Sequence, residues 1–340
     1  MSRTTAATSL PTKQSEHYNR RRKSRVTRSL ASVSADPDLF VYVSRHSTGV
    51  PVLRQRAISS VFIVLLTLGP AIFGRSIFSV LVALIFSLIV NEFEAMLHQA
   101  GHRPLRGFGY VVLLTFMGAV VFQWWDRWAA ALLTGAVFIP LILIMFRTDH
   151  GGALTDWSLT VVSSLYIALP AVHFILLRDL HGSLNPFINQ IDATGGWQAP
   201  LGLPTAVGLG WYLLAQLVTW LTDVGAYIFG RRWGRHKLAP LISPGKSIEG
   251  MIGGLILGGI TALCCDLAFG LPISPPVAVL IGLGLSGLGQ LGDLAESLIK
   301  RQAGVKDSST FIPGHGGVFD RLDSLLIVAT ATYYLARALN

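Results

Sequence analysis

The chain has 340 residues, of which 51% are hydrophobic and only 13% are charged. A soluble domain carries roughly 25% charged residues, so this composition excludes an ordinary soluble fold and predicts a polytopic membrane protein. The net charge is +9, and residues 1–56 contribute +8 of it, with 11 Lys and Arg against three acids. The two cysteines, Cys264 and Cys265, are adjacent in an apolar run and indicate no disulfide framework.

Residues 1–56 are rich in Ser and Thr, carry the basic run Arg20–Arg25 and lack the apolar core of a secretory signal. We predict a disordered cytosolic tail that contacts anionic lipid. A plastid or mitochondrial transit peptide has a similar composition and is the alternative. No nucleic-acid partner is expected, because no folded nucleic-acid reader accompanies the basic run.

Apolar runs fill most of the remaining chain, and a membrane span needs about 20 such residues. Nine candidate spans lie at approximately 57–74, 77–97, 107–124, 128–146, 157–177, 205–229, 249–269, 276–298 and 318–337. We therefore expect an all-α integral membrane protein, a polytopic bundle of about nine transmembrane helices. Its expected parts are the tail 1–56, the N-terminal and middle membrane helices 57–204, and a C-terminal membrane region 205–340.

The distribution of basic residues orients this bundle. A cytoplasmic N-terminus and nine spans place four charged loops together on the cytoplasmic side, around 98–106, 147–156, 231–247 and 300–317. The C-terminus then lies outside. Glycines are concentrated in the last third of the chain, where small residues let helices approach closely.

The end of the eighth span carries one polar helix face. Asp293, Glu296, Ser297 and Lys300 are spaced at i, i+3, i+4 and i+7 and share that face. An acid inside a helix end needs a partner. We favour a metal ion for Asp293, and an ion pair with Lys300 or Arg301 is the alternative.

The segment from Ser297 to Asp323 is dense in charge, which is costly beside a membrane and usually functional. Gly316 and Gly317 permit backbone conformations that present N–H groups to an anion. The next helix begins there, and its N-terminus is expected to attract phosphate. The charged residues of the segment are Lys300, Arg301, Lys306, Arg321, Asp307, Asp320 and Asp323.

Asp293 and Asp320 are expected to face each other across two neighbouring helices, with Asp323 close by. Such oxygen ligands suit Mg²⁺, and paired metal ions suit displacement at phosphorus. Stabilisation by the helix dipole is the alternative for Asp320 and Asp323. Two hypotheses remain for His315. It either serves the reaction, as a hydrogen-bond donor to phosphate or as a general acid, or it is a structural histidine of the turn.

A second polar loop follows the sixth span. Asp223 near the membrane edge is a further candidate acid. Ser243–Ser247, with the sequence SPGKS, predicts a tight turn that presents hydroxyls, N–H groups and the Lys246 ammonium just before a helix. These residue types are typical of a phosphate-binding loop, although the spacing of a Walker motif is absent. The basic residues Arg231, Arg232, Arg235 and Lys237 fit equally well as ordinary positive-inside residues.

These residues identify a family resemblance. The segment from Ser297 to Asp323 resembles the phosphatidate cytidylyltransferases, also called CDP-diacylglycerol synthases, whose pattern reads S-x-apolar-K-R, four residues, K-D, then P-x-H-G-G-x-x-D-R-x-D. Every fixed position is present. The resemblance is detailed over about 210–324 and weaker before it, where Glu92 and Tyr166–Pro170 fit loosely, and residues 1–56 fall outside it.

The resemblance implies a membrane enzyme that joins CTP and phosphatidic acid to give CDP-diacylglycerol and pyrophosphate, with 205–340 as the catalytic region and Mg²⁺ as cofactor, in one or two ions. It matches Asp293 and Asp320 to the acids that hold the metals. The expected catalytic residues are Asp293, Asp320, Lys300, Arg301, His315 and Arg321. The expected substrate-binding residues are Asp223, Ser243, Lys246, Ser247, Lys306, Asp307, Gly316 and Gly317. The expected metal ligands are Asp293, Asp320 and Asp323.

The expected partners are CTP, phosphatidic acid and membrane lipid, and a homodimer is left open. The expected location is a bacterial inner membrane, with a plastid membrane as the alternative. A CTP-dependent kinase of polyprenol or phytol type is the second enzyme hypothesis. A transporter is disfavoured, because the acids cluster at helix ends rather than at the membrane midplane.

Overall fold

The computed structural model describes residues 68–69, 71–72, 75–194, 205–312 and 316–339. The predicted tail 1–56 lies outside the described residues, as does most of the first candidate span, 57–74. The predictions for these two segments therefore stay predictions.

The described residues form nine helices and one β-hairpin, with the helices labelled α1 to α9. In chain order these are α1 Arg75–Gln99, α2 Phe108–Val121, α3 Trp125–Met145, α4 Ala153–Arg178, α5 Pro186–Thr194, α6 Ala206–Trp233, β1 Lys237–Ala239, β2 Ser243–Ser247, α7 Ile248–Phe269, α8 Pro275–Gln302 and α9 Phe319–Leu339. Seven helices are long and apolar enough to cross a membrane, and α2, with 14 residues, is shorter. These eight helices coincide with eight of the nine candidate spans, so the prediction of an all-α, multi-pass membrane protein is confirmed. The short helix α5 and the hairpin were not predicted.

The long helices run back and forth between two ends of the molecule. At one end, which we call the site end, the backbone N–H of Arg103 donates to Asp156 over 2.8 Å, and that of Phe319 donates to Glu92 over 2.8 Å. The four charged loops lie at this end. The side of the membrane that the site end faces stays a prediction.

The far end contains a buried cation, Arg178, at the last residue of α4. Its guanidinium is fully buried, and it lies 2.7 Å from an Asp192 carboxylate oxygen and donates to the Thr205 carbonyl over 3.0 Å. A buried charge is tolerated only with such partners, so this contact ties together α4, α5 and the start of α6. Beside it, burial raises the pKa of the Asp179 carboxyl, and the ion pair with Arg75 opposes that shift.

Glycines bring α6, α7 and α8 into close contact, as the sequence predicts. A Cβ at Gly225 of α6 would lie 2.7 Å from the backbone oxygen of Gly253 in α7. A Cβ at Gly258 would overlap the Ser286 hydroxyl, which accepts a hydrogen bond from Thr222 over 2.7 Å. Close packing of these helices positions the residues at their site ends.

We expect Gly258→Ala to lower the free energy of unfolding by about 1–3 kcal/mol, because the added methyl group overpacks the contact with Ser286. Gly284→Ala is the matched control, since a Cβ there meets no atom within 4 Å. Thermal midpoints of the two variants in detergent, followed by size-exclusion chromatography, provide the measurement. Equal midpoints for the two variants would contradict the packing role of Gly258.

Candidate active site at the helix ends

Three carboxylates meet where α8 and α9 pack at the site end. One oxygen each from Asp293, Glu296 and Asp323 lies within 4.8 Å of the others, and we call this group the carboxylate cluster. The helices approach closely at Gly292, where a Cβ would lie 3.1 Å from the Asp323 backbone oxygen. Glu296 is 1% exposed, and its Oε1 atom has no hydrogen-bond partner. A buried, unpaired carboxylate oxygen beside two further carboxylates fits a hard divalent cation.

Lys300 connects this cluster to Asp320. Its ammonium nitrogen lies 2.7 Å from Glu296 Oε2 and 2.7 Å from Asp320 Oδ1. The other Asp320 oxygen accepts hydrogen bonds from the backbone N–H of Ser308 at 2.9 Å and of Gly317 at 2.7 Å. Asp323 rather than Asp320 therefore joins Asp293 in the cluster. The metal-ligand roles of these aspartates stay predictions.

The loop before α9 is held by a residue from α1. Glu92 is 4% exposed, and its carboxylate accepts hydrogen bonds from the backbone N–H groups of Val318 at 2.9 Å and Phe319 at 2.8 Å. We had expected this helix N-terminus to attract a substrate phosphate. That expectation is wrong for these two N–H groups, because an internal carboxylate already occupies them. The available signal was that Glu92 is one of two acids, with Glu94, near the end of an apolar span.

The predicted tight turn at Ser243–Ser247 is also wrong. This segment is strand β2, which pairs antiparallel with β1 and places Ala239 opposite Ser243, while the turn falls at 240–242. Pro244 is compatible with a strand here because each strand of a two-stranded sheet has a free edge. Ser247 ends the hairpin and caps α7, since its hydroxyl accepts a hydrogen bond from the Gly250 N–H over 3.2 Å.

The hairpin brings Lys246 to Asp293, with 2.6 Å between the ammonium nitrogen and Oδ2. The sequence offers Lys300 or Arg301 as the ion-pair partner of Asp293, but among the described residues neither of them forms this ion pair. Beside the ion pair lies a cavity of about 420 Å³ between α6, the hairpin, α7 and α8. Its lining residues are Asp223, Ala226, Tyr227, Gly230, Arg231, Leu238, Gly245, Lys246, Ser247, Gly250, Met251, Gln290 and Asp293.

The structure gathers some of the predicted site residues and separates others. Asp223, Lys246, Ser247 and Asp293 line the cavity. Asp293 and Asp323 belong to the carboxylate cluster, and Lys300 connects the cluster to Asp320, which accepts a hydrogen bond from Gly317. Ser243 lies on the hairpin but is outside the cavity lining. Gly316 adopts a left-handed conformation, with φ 82°.

Four other predicted residues are exposed. Arg301 is exposed and donates to the Val305 carbonyl over 3.1 Å. Lys306, Asp307 and Arg321 are exposed, and the contacts of the described residues include no ion pair for them. His315 lies outside the described residues. Sequence reasoning assigned no role to Glu92, Glu296, Ser308, Tyr227 and Gln290, although it placed Glu296 on the polar face of α8.

Comparison with known proteins gives a consistent result. The model of the Cytidylyltransferase family matches residues 54–339. A protein of Bacillus subtilis strain 168 is 30% identical over 286 residues, which cover 83% of this chain and 97% of that protein. A Staphylococcus haemolyticus protein is 52% identical over 199 residues, or 56% of this chain and 74% of its own length. A Staphylococcus saprophyticus protein is 41% identical over 198 residues, with the same coverage of 56% and 74%.

All three relatives are named phosphatidate cytidylyltransferase. The family match extends through all nine described helices, including those that carry the carboxylate cluster, the hairpin and the cavity. The chain therefore belongs to the cytidylyltransferase family.

Proposed function

We propose that this protein is a phosphatidate cytidylyltransferase, which converts CTP and phosphatidic acid into CDP-diacylglycerol and pyrophosphate for phospholipid biosynthesis. Family membership and the names of the relatives support this proposal. The observation that carries it is the carboxylate cluster beside a cavity containing Lys246, at one end of a bundle of apolar helices. Such a site can bind a water-soluble nucleotide while the second substrate remains in the lipid.

The cavity is the proposed CTP site. Its volume of about 420 Å³ falls in the range of small-molecule pockets. Lys246 and Arg231 supply positive charge for the triphosphate, and Tyr227 and Leu238 supply surface against which a base can pack. Because Lys246 also contacts Asp293 over 2.6 Å, nucleotide phosphates bound by Lys246 would lie next to the carboxylate cluster.

Asp293, Glu296 and Asp323 would hold a divalent cation, which we propose to be Mg²⁺. The unpaired buried oxygen of Glu296 supports this assignment, because it lacks a protein donor. When bound, the cation would supply positive charge near the reacting phosphates. Asp320 is the proposed further ligand if two ions bind, and it would first have to release part of its hydrogen bonding to Lys300, Ser308 and Gly317.

The proposed reaction is a displacement at the α-phosphorus of CTP. An oxygen of the phosphatidate phosphate forms the new bond to phosphorus, the bond from phosphorus to the bridging oxygen breaks, and pyrophosphate leaves with the electron pair. The attacking phosphate is already an anion, so no strong general base is needed. The main barrier is repulsion between two polyanions, which the cations Lys246 and Lys300 reduce from fixed positions.

The proposed location is a bacterial inner membrane, with the site end facing the cytoplasm. CTP is present on that side, and the four charged loops of the site end follow the positive-inside rule. The acyl chains of phosphatidic acid would then remain in the bilayer between the exposed apolar helix faces, with the phosphate at the helix ends.

Labelled CTP tests the reaction itself. With purified protein, phosphatidic acid and Mg²⁺, we expect radiolabel from the α-phosphate of CTP to enter the lipid product and label from the γ-phosphate to leave as pyrophosphate. Thin-layer chromatography of the lipid fraction provides the measurement. Transfer of γ-label into a lipid alcohol instead would replace this proposal with the lipid-kinase hypothesis.

Removal of single carboxylates tests the metal site. We expect Asp293→Asn, Asp320→Asn and Asp323→Asn each to reduce CDP-lipid formation by about 100-fold or more, because charge compensation at the reacting phosphates is lost. Asp149→Asn is the control, since that residue is exposed at the same end, where it forms an ion pair with Arg103 at 3.2 Å. Near-normal activity of a folded aspartate variant at ordinary Mg²⁺ would rule out the metal role of that residue.

The hairpin lysine gives a separate test of the nucleotide site. We expect Lys246→Ala to raise the KM for CTP about tenfold or more, since one charge-assisted contact to phosphate is lost. Lys237→Ala is the matched control, because Lys237 lies on the partner strand, opposite Ser247, and is not a lining residue of the cavity. Steady-state kinetics at saturating phosphatidic acid provide the measurement. An unchanged KM in Lys246→Ala would contradict the placement of the triphosphate.

A further inference from the structure

Glu92 on α1 has an unusually complete set of hydrogen bonds for a buried carboxylate. Four donors surround its two oxygens, with separations of 2.6–3.0 Å, and they all come from the segment 308–319. They are the Ser308 hydroxyl, the Ser309 hydroxyl, the Val318 N–H and the Phe319 N–H. Val318 immediately precedes α9 and Phe319 is its first residue, so Glu92 acts as the counter-charge of that helix N-terminus.

Ser308 connects this carboxylate to Asp320. Its hydroxyl oxygen lies 3.0 Å from Glu92 Oε2 and 3.0 Å from Asp320 Oδ2, and a single hydroxyl proton serves both acceptors. The backbone N–H of the same serine donates to Asp320 over 2.9 Å. Any shift of Glu92 therefore shifts the donors that orient Asp320.

The space around this contact is filled. A Cβ at Gly317 would overlap the Ser308 hydroxyl and lie 2.5 Å from Glu92 Oε2, so only glycine fits there without displacement. Beneath it, the Phe319 ring is fully buried and packs against Phe93 and Tyr166, with ring centroids 5.5 and 6.2 Å away. Glu92 therefore restrains the four residues that supply its donors.

We propose that Glu92 is a positioning residue for the reaction, an assignment that rests on the proposed function. It holds Ser308, Ser309, Val318 and Phe319 against α1. It thereby fixes Asp320 and, through Asp320, the Lys300 ammonium beside Glu296. Glu92 does not touch the cavity or the carboxylate cluster. The catalytic region 205–340 then depends on an acid from the membrane region 57–204, separated from Ser308 by 216 positions in sequence.

The decisive variant is Glu92→Gln, which keeps the size of the side chain but turns an NH₂ group toward N–H and O–H donors. We expect kcat per folded molecule to fall about 10–100-fold, which is typical of residues that orient a metal ligand through hydrogen bonds. The Mg²⁺ concentration needed for half-maximal activity should rise. Glu94→Gln is the matched control on the same helix, because Glu94 accepts a hydrogen bond from the Gly107 N–H at 3.2 Å rather than from this loop. It should retain wild-type kinetics.

Two measurements separate positioning from a merely structural role. Hydrogen–deuterium exchange should be faster in Glu92→Gln at the Val318 and Phe319 amides and unchanged in Glu94→Gln. In a double-mutant cycle, Glu92→Gln and Ser308→Ala should be strongly non-additive in kcat, because both act on Asp320 through the same hydroxyl. If Glu92→Gln does not fold, Glu92→Asp, which keeps the charge but is one methylene shorter, is measured in its place and should show a smaller loss of the same kind.

A lower thermal midpoint with unchanged kcat and unchanged Mg²⁺ dependence would overturn the proposal, and so would unchanged amide exchange or additive effects in the cycle. Failure of the proposed function is distinguishable from these outcomes. In that case the wild-type protein would form no CDP-lipid, whereas the exchange measurement would still report whether Glu92 holds the loop.

Discussion

Negative charge is concentrated at one end of a bundle of apolar helices, and the surrounding structure compensates for it. The carboxylates at or near the site end include Glu92, Asp223, Asp293, Glu296, Asp320 and Asp323. Their mutual repulsion would open the helix ends if each lacked a partner. Lys246 neutralises Asp293, Lys300 lies between Glu296 and Asp320, and backbone and hydroxyl donors surround Glu92. Oε1 of Glu296, a buried oxygen that lacks a protein donor, belongs to the cluster best suited to a cation.

Local sequence patterns predicted much of this arrangement. Apolar length was enough to locate eight helices, because a membrane leaves a spanning segment few alternatives to a helix. The spacing of Asp293, Glu296, Ser297 and Lys300 correctly placed them on one face, as the 2.7 Å contact from Lys300 to Glu296 bears out. Glu296 was predicted to lie on this face but was not assigned a role, because the local sequence does not distinguish its carboxylate from that of Asp293.

Contacts between distant parts of the chain could not be predicted in the same way. Lys246 lies on strand β2 and Asp293 on helix α8. The contact between them depends on the pairing of β1 with β2, and the hydrophobic periodicity of so short a segment does not reveal strand pairing. Glu92 meets Ser308 across 216 positions, so no local pattern pairs them. The N-terminus of α9 shows the consequence. Its dipole does attract an anion, as expected from physical principles, but the anion is a side chain of the protein itself.

The buried arginine at the far end has a consequence for how the chain enters the membrane. The fully buried Arg178 donates to the Ala71 carbonyl, which precedes it in sequence, and its other acceptors include Asp192 and Thr205, which follow it. During synthesis the end of α4 is complete before the Asp192 carboxylate has been made, and a guanidinium that still lacks this counter-charge is most stable in water. The end of α4 must therefore remain at the aqueous boundary until the chain has been translated as far as residue 192. The inward movement of Arg178 would thus be a late step in assembly, coupled to the arrival of α5 and α6.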